Sequence, residues 1–103
     1  MAQTVEMKRA AFEQLMRENG FQYLGATTHD GRFIYERAWR RISEVAFYGS
    51  MESSFRIEAS ESFGYPLIRI YENGKHTSTR DYSSPKRAVN AIREIVRFAG
   101  YEM

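Results

Sequence analysis

The chain has 103 residues, 43% hydrophobic and 27% charged, which is the content of one ordinary domain with a core of its own and no need of a metal or a staple. It has no cysteine, which excludes disulfides, thiolate catalysis and cysteine-ligated zinc or iron–sulfur clusters and fits a reducing compartment. Fifteen Lys and Arg against thirteen Asp and Glu leave a net charge of +2, too near zero to mark a nucleic-acid protein by bulk charge.

The longest apolar run, Val45-Ala46-Phe47-Tyr48, is far below the roughly 20 residues that cross a bilayer. The first residues carry no apolar signal core, so the expectation is a cytoplasmic protein without a membrane segment. Charge is unevenly spread. Arg32, Arg37, Arg40 and Arg41 face only Glu36 over residues 32–41, and Lys86, Arg87, Arg93 and Arg97 face only Glu94 over residues 85–98. Twelve of the fifteen basic residues are arginine, whose planar fork suits phosphate, carboxylate and aromatic faces better than the point charge of lysine.

In chain order, Thr4 caps a first helix whose apolar positions Val5, Ala11, Phe12, Leu15 and Met16 recur at helical spacing, and Asn19-Gly20 stops it. Period two follows. Residues 21–28 and 32–40 read as strands joined at Asp30-Gly31, and residues 67–72 and 75–81 as strands joined at Asn73-Gly74; both pairs suit two-residue hairpin turns. Residues 44–48 and 54–59 read as a third hairpin turning near Gly49-Ser50-Met51-Glu52, followed by a loop over residues 60–66. Ser84-Pro85 places a capping hydroxyl and a proline at the start of a last helix. Ala88, Ala91, Ile92, Ile95, Val96, Phe98 and Ala99 form its apolar face, Lys86, Asn90, Arg93 and Arg97 its polar stripe, and Gly100 its end.

The predicted architecture is a single α+β domain over residues 1–103. One antiparallel sheet of about five to six strands has the N-terminal and C-terminal helices packed on one face. Taking the two short turns as register marks, Ile68, Ile70, Thr77 and Thr79 face the helices, and so do Leu24, Ala26, Phe33, Tyr35 and Trp39. The other face then collects Tyr23, Arg32, Arg40, Arg69, Tyr71, His76, Arg80 and Tyr82, with Phe21 also turned outward. Such an aromatic and basic face suits a protein partner, including a second copy of the chain, because Tyr and Arg enrich interfaces. The alternative is single-stranded nucleic acid, whose bases stack on rings while arginines hold the phosphates.

Catalytic arrangements find little support. The chain has two histidines and two aspartates, with His29 and His76 beside tight turns. Ser78, His76 and Asp81 compose a nominal triad without a nucleophile elbow. No spacing suits a metal, a cofactor fingerprint is absent, and Glu58, Glu61 and Glu72 are spaced as strand surface charges. The expectation is a non-enzymatic protein that acts by binding, its candidate binding residues being Tyr23, Arg40, Arg69, Tyr71, His76, Arg80 and Tyr82.

Overall fold

A computed structural model describes residues 5–26, 33–47, 49–62 and 65–103. Helix α1 (Val5–Glu18) is followed by strands β1 (Gln22–Ala26), β2 (Phe33–Val45), β3 (Gly49–Ser62), β4 (Tyr65–Glu72) and β5 (Lys75–Asp81), then by helix α2 (Pro85–Phe98). The strands form one antiparallel sheet in the order β1-β2-β3-β4-β5. The α+β arrangement predicted from the sequence is thus the one found, with five strands. No described helix is long and apolar enough to cross a membrane.

The helix ends are made by the residues that announce them. The Ser84 hydroxyl accepts from the amide of Arg87 at 3.2 Å, and Pro85 occupies the first helical position, where a missing N–H costs nothing. At the other end Gly100 adopts φ +91°, which lets Tyr101 N donate to Val96 O at 3.1 Å and Gly100 N to Arg97 O at 3.0 Å. These paired bonds satisfy carbonyls that the helix leaves open. Tyr101 is thereby turned back to stack on Phe55, 5.7 Å between centroids. After α1 the same pattern recurs, with Phe21 N on Met16 O at 2.9 Å.

The core lies between the helices and one sheet face. Phe12 and Met16 of α1, Phe21, Tyr35 and Trp39, Phe55, Ile57 and Ala59, Ile68 and Ile70, and Val89, Ile92 and Val96 of α2 form one buried cluster. Val89, outside the predicted apolar face of α2, is buried. Phe98, predicted inside, is 96% exposed.

The Asn73-Gly74 turn is as predicted, with φ of +52° and +81°, the two positive values that a type I′ hairpin demands. Asn73 also fastens this hairpin to β3, its amide donating to Ser54 O at 2.8 Å and its side-chain oxygen accepting from Ser54 N at 2.9 Å. Asp30-Gly31, His29, Arg32 and the Thr4 cap lie outside the described residues.

The central strands differ from the sequence reading. β2 runs unbroken from Phe33 to Val45 against β3, pairing Val45 with Gly49. The chain therefore turns after Val45, and the serine-rich stretch 50–54 is strand. β3 extends to Ser62 opposite Tyr65, so Ser60, Glu61 and Pro66 belong to strands and are buried.

One geometric result is an arm. β1 pairs with β2 only from Ala26↔Phe33 to Gln22↔Glu36, and β4 leaves β3 at Phe55↔Glu72. Residues 40–45 and 49–54 have no third strand beside them, a two-stranded ribbon projecting about 20 Å. The molecule measures 62 × 27 × 20 Å with a radius of gyration of 15.4 Å, against about 13 Å for a compact domain of this length.

Candidate functional site

Register decides which predicted site residues share a face. In β2 and β3 the alternation places Phe33, Tyr35, Trp39, Phe55, Ile57 and Ala59 toward the helices, leaving Glu36, Ala38, Arg40, Arg56 and Glu58 on the open face. In β4, Arg69 and Tyr71 share that open face because Ile68 and Ile70 are buried on the other. His76 pairs with Tyr71, and the rings lie 5.3 Å apart. Arg40, Arg69, Tyr71 and His76 are therefore placed as the sequence reading expects.

Tyr23, Arg80 and Tyr82 are not. A bulge between Tyr23 and Gly25 shifts the register, so Tyr23 pairs with Tyr35 and its ring lies against Tyr35 at 5.4 Å and Phe33 at 6.2 Å, on the helix side. The same bulge buries Phe21 and leaves Leu24 51% exposed, reversing both expected orientations. A second irregularity, at Ile70/Tyr71, advances β5 by one residue, so that Arg80 pairs with Ile68 and Ser78 with Ile70 on the helix side. Arg80 there lines a shallow hollow with Ile95 and Phe98 of α2. Thr79 pairs with Arg69 and so lies on the open face. Tyr82, just past the strand, packs against the core. An inserted residue moves every following side chain to the opposite face of a pleated strand.

The open face is held together by ion pairs. Arg56 binds Glu36 at 3.2 Å and also binds Glu58, and its guanidinium lies 4.0 Å above the Tyr71 ring. The Tyr71 hydroxyl donates to Glu58 at 3.2 Å, and Arg40 pairs with Glu52 at 2.8 Å. Burial works against the Arg56 charge, but the hydrogen bonds and charges of Glu58 and Glu36 outweigh it and raise its pKa. Arg56 and Glu58 are missing from the predicted set, although they alternate with the apolar Phe55, Ile57 and Ala59. That alternation is the signal that marks them as a face. With Arg40 and Arg56 paired to carboxylates, this surface is mixed in charge and not basic.

Burial, then the charge and hydrogen bond of Glu58, raise the Tyr71 pKa above its ordinary 10.0. Burial followed by Glu13 does the same at Tyr35. The neutral phenol is the form the fold favours, so this stabilisation is complete below pH 10 and is lost as pH rises through the raised folded values. Urea midpoints measured from about pH 8 to about pH 11 should fall at the alkaline end, and Tyr71→Phe should flatten part of that fall.

The other candidate chemistry does not assemble. The His76 ring nitrogen meets Ser78 O at 3.1 Å and Thr79 Oγ1 at 2.8 Å, while the Ser78 hydroxyl accepts from Arg80 Nε at 3.5 Å on the helix side. Ser78, His76 and Asp81 thus form no relay. Glu61 is 1% exposed and is bound by Arg9 at 3.1 Å, beside a pocket lined by Phe12, Tyr23, Phe33 and Tyr35. Among the described residues, no group of three or more His, Asp or Glu is placed to hold a metal ion.

The ribbon carries three exposed large apolar side chains, with Phe98 of α2 and Tyr65 of β4 exposed elsewhere. Ile42 is 67% exposed, Met51 59% and Phe47 at its tip fully so. Phe47 has φ +74°, a conformation that costs an aromatic residue about 1 kcal/mol or more. Neither family models, nor curated proteins, nor solved structures match this chain.

Proposed function

We propose that the protein acts by binding a protein surface and not by catalysis, that the surface is a second copy of itself, and that the β2–β3 ribbon makes the contact. The ribbon carries this reading. An isolated two-stranded hairpin is marginally stable in water, yet this one extends beyond every other strand with unpaired edges and exposed Ile42, Phe47 and Met51. Strand edges and exposed apolar side chains are what a second chain covers when it adds to a sheet. The candidate binding residue Arg40 stands at the ribbon's base. Arg69, Tyr71 and His76 flank it on the open face, and Tyr23, Arg80 and Tyr82 serve the interior side.

Single-stranded nucleic acid draws less support from the open face, because the half-buried Arg56 is already engaged by Glu36 and Glu58 and carboxylates share the face with its arginines. Phosphate binding depends on cations free to replace counterions.

The test is to replace Ile42–Glu52 by Asn-Gly, which joins Arg41 to Ser53 directly across the ladder. The shortened protein should melt as cooperatively as the wild type, since no core residue is removed. In sedimentation velocity the wild type should form a concentration-dependent dimer and the shortened protein stay monomeric. A wild type that remains monomeric at its highest soluble concentration sinks the proposal. So would a shortened protein that dimerises equally well. A labelled oligonucleotide shifted at low salt by both proteins would instead favour the nucleic-acid alternative.

A further inference from the structure

Resting on that reading, we infer that two copies join along the outer edge of β2, antiparallel, about a two-fold axis at Ile42, into one continuous ten-stranded sheet.

The sheet's edges are not equally open to a second strand. β1 is five residues long and bulged, and β5 is bulged and carries Lys75 and Arg80. Bulges and charges of these kinds discourage pairing. The free edge of β3 is cut short at Ser54 by Asn73. The outer edge of β2 from Arg37 to Val45 is the longest left. It has no glycine, proline or irregularity, and no backbone partner among the described residues.

The choice of axis follows from charge. A two-fold axis perpendicular to the sheet sets a residue opposite itself and its neighbours opposite one another in reverse order. Centred on Arg40 or Arg41, it puts arginine against arginine. Centred on Trp39 it opposes Arg37 and Arg41, and centred on Glu44 it opposes two carboxylates. On Ser43 no opposite charges meet, and axes nearer β1 run into β1 itself. Centred on Ile42, it sets Ile42 against Ile42 of the second copy and Trp39 against its Val45. Arg40 then meets Glu44 of the second copy twice by symmetry, with no like charges opposed. Opposite charges directly across a ladder stabilise it, and like charges destabilise it.

The lengths agree as well. In this register Ala46 of the second copy reaches Ala38, and the ribbon tip ends at Arg37, immediately before β1 begins at Glu36. The exposed Phe47 is thus brought to the lip of the open hollow that Arg37 lines with Glu18, Asn19 and Gly20.

Charge reversal tests the register. Arg40→Glu and Glu44→Arg should each stay folded by circular dichroism, yet dimerise about ten- to a hundredfold more weakly than the wild type, since two pairs turn from attractive to repulsive. An equimolar mixture of the two should associate one to one, because each pair across the axis is then again of opposite sign. The double variant R40E/E44R should dimerise alone. If the wild type and both single variants dimerise with equal affinity, the ribbon reading stands and this register is wrong. Failure of the mixture to regain association, with the single variants weakened, also overturns the register. A monomeric wild type removes both proposals.

Discussion

Ile92→Asp is expected to abolish the folded state, while Asn90→Asp, two residues earlier on α2, should change stability by less than about 0.5 kcal/mol. Ile92 is wholly buried in the cluster formed by α1, α2 and the inner sheet face. Aspartate there loses the aliphatic packing, worth about 2–5 kcal/mol for truncating a buried isoleucine. It also brings in a carboxylate with no cation in the cluster to receive it, a burden of several kcal/mol even after the structure relaxes. Together these approach the whole stability of a small domain, about 5–15 kcal/mol. Asn90 is exposed on the opposite arc, and a negative charge in the first half of a helix opposes nothing in the macrodipole. Circular dichroism and urea titration of the two variants give the comparison. Equal tolerance would mean that α2 is rotated from the phase described.

Trp39→Ala should cost about 3–5 kcal/mol, the range for removing a large buried ring. Trp39 joins three parts of the molecule. Its ring meets Phe21 edge-on at 6.5 Å and Phe55 at 5.9 Å, and the Arg37 guanidinium lies 4.9 Å above it. Its indole N–H donates to Glu102 O at 2.9 Å and so ties down the C-terminal residues. Trp39→Phe separates the two contributions. It keeps much of the ring contact, loses the donor and should cost about 1–2 kcal/mol. Urea unfolding followed by circular dichroism measures both, and an alanine variant within about 1 kcal/mol of the wild type would contradict the packing described.

Much of this layout was legible because local chemistry and global fold agree at the points concerned. Ser84-Pro85, Gly100 and Asn73-Gly74 each demand one backbone conformation, and each receives it. The phase of β2 was readable because Phe33, Tyr35 and Trp39 fall on one parity. β1 offered no such guide: Phe21 and Tyr23 oppose Leu24 and Ala26 in parity, both sets are apolar, and the bulge that settles the matter leaves only Gly25 as its mark. In β5 the slip at Ile70/Tyr71 has still less signature, since threonine and serine fill either face equally well. That single insertion removes Arg80 from the open face.

The continuity of β2 was available in the sequence. No glycine, proline or asparagine stands between Phe33 and Val45, so nothing stops the strand at Arg41-Ile42-Ser43. The ion pairs that neutralise the open face are a different matter, because they depend on which strands lie side by side. Arg56 reaches Glu36 across twenty residues of sequence, a proximity that only the paired ladder creates.

The sheet order follows the chain without a crossover, and this has a kinetic meaning. Each strand finds its partner through the hairpin that precedes it, so no ladder waits on the closure of a long loop, and contact order within the sheet stays low. The seam between the helices is different, because Arg93 reaches Asn19 from 74 residues away. The ladders therefore need only local closure, whereas the docking of α1 beside α2, like the Trp39–Glu102 bond across 63 residues, brings distant parts of the chain together over the apolar face they share.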